Sequence, residues 1–158
     1  MSNLKFSDAY FSKDRIYRYA LWRTWDESLP KVLFIGLNPS TADEIHDDPT
    51  IRRCIRYAKD WNYGGYIMGN IFAYRSTDPK KLLDIQDPIG PKNNYWLKKL
   101  NNEASLTIGA WGNHGKILNR GNQINNMLKT FHCLKITKEG FPSHPLYLHS
   151  RLKPILFK

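Results

Sequence analysis

Cysteine is scarce in this chain: Cys54 and Cys133 are the only two, and they form no CxxC spacing. That excludes a disulfide framework and a four-cysteine metal or iron–sulfur site. Both thiols lie among apolar neighbours and read as buried side chains of a reducing compartment. No stretch approaches the ~18 consecutive apolar residues of a membrane span. The opening "MSNLKFSDAYFSKD" has no apolar signal core, so a cytoplasmic protein is expected. Repeats, low-complexity tracts and linkers rich in Pro, Gly or Ser are missing, so residues 1–158 read as a single domain. His46 and His114 stand at no metal-binding distance from carboxylate partners in the sequence, and neither metal nor cofactor is expected.

Acidic side chains are the minority. Fourteen Asp and Glu face 24 Lys and Arg, for a formal net charge of +10. With 41% hydrophobic and 13% aromatic residues, the chain can bury a continuous core and still present a basic surface. A small basic domain with dispersed Trp and Tyr points to a polyanionic partner, DNA first, bound by a monomer. Solubility alone is the plainer use of such charge.

Strand and helix patterns alternate. "RIYRYALWRTWD" (15–26) has strand alternation, and "ESLP" turns it into Lys31–Gly36, which predicts an antiparallel pair. "DPTIRRCIRYAKDWN" (48–62) predicts a helix with Pro49 in its first turn. Its apolar face is Ile51, Cys54 or Ile55, Ala58 and Trp61. Arg52, Arg53, Arg56 and Lys59 fill the remainder, as a solvated face. "GYIMGNIFAY" (65–74) is a second buried strand, "DPKKLLD" a short helix or turn, and 90–104 a helix starting at Pro91. "SLTIGAWG" (105–112) is a third strand, 114–131 a helix weakened at Gly121, and "HCLKI" (132–136) a last strand. This order predicts a three-layer α/β/α sandwich around a mostly parallel sheet, in which ligands bind beyond the carboxyl ends of the strands.

Unusual polar residues fall at those ends. In "GLNPSTADEIHDD", Asn38 is held before Pro39 and can hold a water or meet a base edge; equally, it can close an Asx-type turn. The acids Asp43, Glu44, Asp47 and Asp48 fit caps of the helix that follows, a general base being the less favoured role. Asn70 interrupts an apolar strand, and a buried amide needs partners: a base edge, or a neighbouring loop. Arg75, Ser76 and Thr77 follow it and can contact phosphate. His144, between Ser143 and Pro145 in "GFPSHPLYLHS", can donate to a developing oxyanion or be a surface histidine. Tyr147 and Leu148 behind it suit either core or a wedge entering a duplex.

In this order the pieces resemble the uracil-DNA glycosylase superfamily. Gly36-Leu37-Asn38-Pro39-Ser40 is similar to the Gly-x-Asn-Pro loop of its mismatch-specific branch. "NIFAYRSTDP" looks like the Asn-bearing middle strand of the thermostable branch, with Asn70 and Arg75 matching, and "LTIGAWG" supplies the small glycine turn. "SHPLYL" supplies the closing His-Pro, although Leu146 stands where that loop usually has serine. The segments "GLNPSTAD", "NIFAYRSTDP" and "HPLYL" also resemble, over almost the whole chain, an uncharacterised bacterial and phage family, the domain of unknown function numbered 1643.

The glycosylase resemblance implies a uracil-DNA-glycosylase-like fold and hydrolysis of the N-glycosidic bond of a base in DNA. Asn38 would position the attacking water and His144 would stabilise charge on the leaving base. Asn70, with Gly36 and Leu37, would hold the base. Ser40, Thr41, Arg75, Ser76 and Arg151 would hold phosphates. Cleavage of free nucleotides or nucleosides, or non-catalytic nucleic-acid binding on the same fold, are the alternatives.

Overall fold

The computed structural model describes residues 4–157. Strands β1 (Phe6–Phe11), β2 (Arg18–Thr24), β3 (Lys31–Gly36), β4 (Gly65–Asn70), β5 (Leu106–Gly109), β6 (His132–Cys133) and β7 (Ile155–Leu156) form one sheet in the order β1-β2-β4-β3-β5-β6-β7. From β4 to β6 the neighbours are parallel; the β1–β2, β2–β4 and β6–β7 pairs are antiparallel. The sheet is therefore mixed, with a parallel centre and antiparallel flanks. At its middle, β3 buries Val32 through Gly36, the continuous apolar run that a strand covered on both faces requires.

Helix α1 (Pro49–Asp60) covers one face, where Ile51, Cys54, Tyr57 and Ala58 pack on Val32, Phe34 and Tyr66. Helices α2 (Asn93–Glu103) and α3 (Arg120–Leu128) cover the other, with Leu97, Leu100, Ile124 and Leu128 against Leu33, Ile35 and Ile67. The expected helix–sheet–helix layering is present in this mixed α/β form. The chain leaves β3 toward one face and β5 toward the other. That divergence opens a crevice at their carboxyl ends, where ligands bind in such sheets.

Several local expectations are corrected. Residues 15–26 do not pair with Lys31–Gly36; β2 lies between β1 and β4 instead. The strand β3, apolar from Val32 to Gly36, takes the two parallel central neighbours, and the half-polar β2 takes a flank. Strand β1, with an alternately exposed face, has no counterpart in the sequence reading. Helix α2 begins at Asn93, two residues after Pro91. The helix expected over 114–131 is a 3-10 segment, Asn113–Asn119, then α3, broken where Leu118 and Asn119 take φ of 52° and 56°. Gly121 lies inside α3 and not at the break; a Cβ there would stand 3.1 Å from the Gly115 carbonyl and 3.2 Å from the Trp111 indole nitrogen, so close packing is what the glycine serves. The last predicted strand is reduced to His132–Cys133.

Only Asp48 of the four clustered acids caps α1, its carboxylate accepting from the Ile51 amide at 2.9 Å. Asp43 closes its own turn by accepting from the Ile45 and His46 amides, Glu44 pairs with Arg15, and Asp47 pairs with Arg23. Nor is the basic side of α1 wholly solvated: Arg53 donates to the Leu148 carbonyl, and Tyr57 and Trp61 donate to those of His149 and Leu152. The tail is thereby clamped along α1. Both cysteines are free and buried, and burial raises both thiols, Cys133 to about 11. Among the described residues no helix is long and apolar enough to cross a membrane, and no three His, Cys, Asp or Glu side chains gather into a metal site.

Candidate functional site

The crevice is a cleft of about 360 Å³, walled by Gly36 to Ser40 after β3, Asn70 at the end of β4, and Ser76, Thr77 and Pro79 beyond it. Trp111 to His114 after β5 and His144 and Leu146 of the late loop close it. Arg18, Asp48, Thr50, Ile51 and Met68 complete it. The three residues singled out in separate segments, Asn38, Asn70 and His144, line this one cleft.

Asn70 is the anomaly. It is 1% exposed, and neither its Nδ2 nor its Oδ1 has a hydrogen-bond partner. Leaving a buried amide unpaired costs ~1–3 kcal/mol per group, so the arrangement makes sense where an incoming molecule supplies a donor and an acceptor. The backbone beneath is fixed from behind. Asn93 donates to the carbonyls of Asn70 and Ile71 at 2.9 and 3.1 Å, and the buried Arg120 donates to that of Ile71 at 2.7 Å. Gly36 stands opposite Asn70 in the β3–β4 register. A Cβ on Gly36 would fall 2.8 Å from the Asn70 Oδ1 and 2.6 Å from the Met68 methyl, so glycine makes the room that the amide occupies. Gly36→Ala is expected to cost ~1–3 kcal/mol through overpacking and to remove ligand-induced stabilisation, read by melting with and without nucleobase.

Asn38 bonds backbone, as the plainer expectation had it, but across to a neighbouring loop and not in an Asx-type turn. Its Nδ2 donates to the Ser76 carbonyl at 2.8 Å and the Pro39 carbonyl at 3.2 Å, tying the loops after β3 and β4 together. Its Oδ1 accepts from no described protein group and is left to a water or ligand. In the late loop, the His144 Nδ1 accepts from the Leu146 amide at 3.2 Å, which places the neutral ring's proton on Nε2. His144 is exposed at the cleft's rim; partial desolvation by the neighbouring wall lowers its pKa, opposed by the Asp48 carboxylate. The imidazole is therefore neutral at neutral pH and offers Nε2–H as a donor. Gly112 donates to the Pro142 carbonyl at 2.7 Å and holds this loop to the end of β5.

Other candidates lie elsewhere or alongside. Gly36, Leu37, Ser40 and Ser76 line the cleft; Thr41 is exposed beside it. Arg75 stays outside, over the Phe11 ring at 4.8 Å and donating to the Arg15 carbonyl. Arg151 is exposed in a shallow depression by Asp60 and Trp61. Arg18 was missed as a cleft-lining residue, and Asp48 was read first as a helix cap. The signal available for Arg18 was an arginine opening a strand directly before the apolar Tyr19 to Trp22.

A family model described as a protein of unknown function, DUF1643, matches residues 18–146. The chain belongs to the DUF1643 family. No curated protein and no solved structure matches it. The DUF1643 match spans β2 to the His-Pro loop, and so contains every wall of the cleft.

Proposed function

We propose that this DUF1643 protein hydrolyses the N-glycosidic bond of a base in DNA, on a fold akin to the uracil-DNA glycosylases. The observation that carries the reading is the unpartnered Asn70 amide in the cleft. One donor and one acceptor on a buried side chain complement the lactam or amidine edge of a heterocycle. A cleft of about 360 Å³ lies within the range of small-ligand sites. Asn38 Oδ1 accepts from the attacking water, the Asp48 carboxylate is at hand for that water's proton, and the neutral His144 donates toward the departing base. Bringing a base into the cleft from a duplex costs a few kcal/mol of unstacking. Tyr147, 98% exposed with φ of 68° at the cleft's edge, suits the wedge that holds the gap, and the +10 net charge favours the strand.

Incubating the protein with duplexes carrying uracil, mismatched or modified bases tests the reading. Alkali-labile abasic sites are expected for at least one, and their absence with every substrate refutes it. Excision is expected to be flat above the ordinary histidine range and to fall below it. Because the His144 pKa is lowered, protonation comes only at pH below the free-histidine value, where a proton on Nδ1 displaces the Leu146 amide. In His144→Gln the acid limb disappears from the pH–rate profile. A second reading, cleavage of free nucleosides, is favoured by Arg75 and Arg151 lying off the cleft. Turnover of nucleosides without duplex excision would select it.

A further inference from the structure

Arg18 is the buried charge that the reading above leaves unused. It is 1% exposed and lines the cleft, yet among the described residues it has no ion pair. Its Nη1 donates to the Ala42 carbonyl at 3.0 Å, and its Nε has no partner. Burial lowers its pKa only to about 10, so the guanidinium stays charged throughout the neutral range. A buried cation without a counter-ion is costly unless something supplies the opposite charge. Asp48, which faces it across the cleft, is committed on one oxygen to capping α1.

The neighbouring groups decide what kind of negative charge fits. Asn70 presents an acceptor oxygen as well as a donor, and Asp48 presents a carboxylate. Both repel a phosphate or carboxylate, which offers acceptors only. A heterocycle carrying a ring N–H for the Asn70 Oδ1, and carbonyl oxygens for the Asn70 Nδ2 and the guanidinium, satisfies all three.

We propose that Arg18 is the electrostatic partner of a lactam heterocycle, stabilising the negative charge that the base acquires when it leaves. The assignment deepens the glycosidase reading and rests on it for the catalytic step. In that step water bonds to the anomeric carbon through oxygen while the carbon–nitrogen bond breaks. The bonding pair departs on the base, and the water's proton passes to Asp48 and then to solvent. The base anion, held against Arg18 and the His144 Nε2–H, is protonated by solvent on release. Placing a fixed charge where charge develops is the largest single device available to such a reaction.

The test uses binding as well as turnover. Wild type and Arg18→Gln are titrated with uracil, and with 5-nitrouracil, whose ring N–H ionises near neutrality, across a pH series. Gln retains a donor for the Ala42 carbonyl and removes the charge; circular dichroism checks the fold. Around Arg18, Tyr66, Cys54, Asp48, His144, Arg23 and Arg75 are the titratable or charged groups. Burial keeps Tyr66 and Cys54 protonated, and uracil under the same conditions subtracts any contribution from His144. Wild type is expected to bind 5-nitrouracil about tenfold or more tightly once it ionises, the scale of a hydrogen bond to a charged group. Arg18→Gln binds uracil more weakly, having lost a donor to its carbonyl, and its affinity for 5-nitrouracil no longer rises on ionisation.

Affinity that does not respond to ionisation in wild type overturns the assignment, even if the variant fails to fold. So does a folded Arg18→Gln that keeps the gain. In excision, the variant is expected to depend more steeply on the acidity of the departing base. Anion binding without any abasic product would remove the glycosidase reading and leave the binding role of Arg18 standing. Unchanged excision in Arg18→Gln would do the reverse.

Discussion

Asn70→Leu is expected to make the protein more stable and, at the same time, unable to bind a nucleobase. Leucine repeats the branched four-atom skeleton of asparagine's side chain, with bulkier methyl ends turned to the open cleft, and carries no polar atoms. It removes two buried groups that no protein atom satisfies, each costing ~1–3 kcal/mol. In a domain of this size each kcal/mol moves the melting temperature by ~2–4 °C. Excision, where it is measured, should fall by ~100-fold or more, the scale of losing one preorganised transition-state donor. A calorimetric melt and a nucleobase titration on the same sample check both halves. A destabilised variant would mean that Asn70 holds structure, in spite of its missing partners. Opposite signs for stability and function are what a site retained against the interest of the fold produces.

Arg23→Met is expected to have the largest effect on stability, ~3–5 kcal/mol, the cost of breaking a buried charge pair. The guanidinium is fully buried and donates to Asp47 at 2.9 Å, to the carbonyls of Asp43 and His46 at 2.6 and 3.1 Å, and to that of Asp8 at 3.3 Å. It therefore binds the irregular 43–47 segment to β1 and β2. Methionine replaces the aliphatic stem but stops short of the guanidinium, and leaves those carbonyls and the Asp47 carboxylate without their donor. The same segment leads directly into Asp48 and Thr50 of the cleft wall, so ligand-induced stabilisation should vanish along with the fold's margin. Urea unfolding measures the first and melting with nucleobase the second. A loss below ~1 kcal/mol, the size of an exposed pair, would show that the segment holds itself.

Much of this was legible because the relevant signals were local. β3 and β4 are apolar at nearly every position, and a polar residue such as Asn70 stands out against that background. Asn38 and His144 could be picked out because proline follows each of them directly. What escaped was decided at a distance. The short connection at Ser28–Pro30 fits a hairpin equally well, and only the competition of β4 for both neighbours separates β2 from β3. Arg18 and Arg23 look like the polar half of an edge strand until the 42–47 segment covers them. Leu118 and Asn119 are ordinary helix residues. Their left-handed backbone arises where Arg120 turns inward to the Ile71 carbonyl and Asn94, contacts that no window of neighbouring residues contains. Glu44 and Asp47 were misassigned for the same reason, since they pair with Arg15 and Arg23, while Asp43 closes its own turn.

The clamp of the tail along α1 has a consequence for the order in which the molecule is assembled. The hydrogen bonds from Arg53, Tyr57 and Trp61 reach partners 91 to 95 positions downstream, and loops that long close late in folding. A chain that has already paired β3 with β4 therefore holds Asn38 and Asn70 in place, but lacks the wall that carries His144. On the glycosidase proposal, chemistry would wait until the far end of the chain has been gathered in, while the Asn38 and Asn70 walls are set by the earlier pairing.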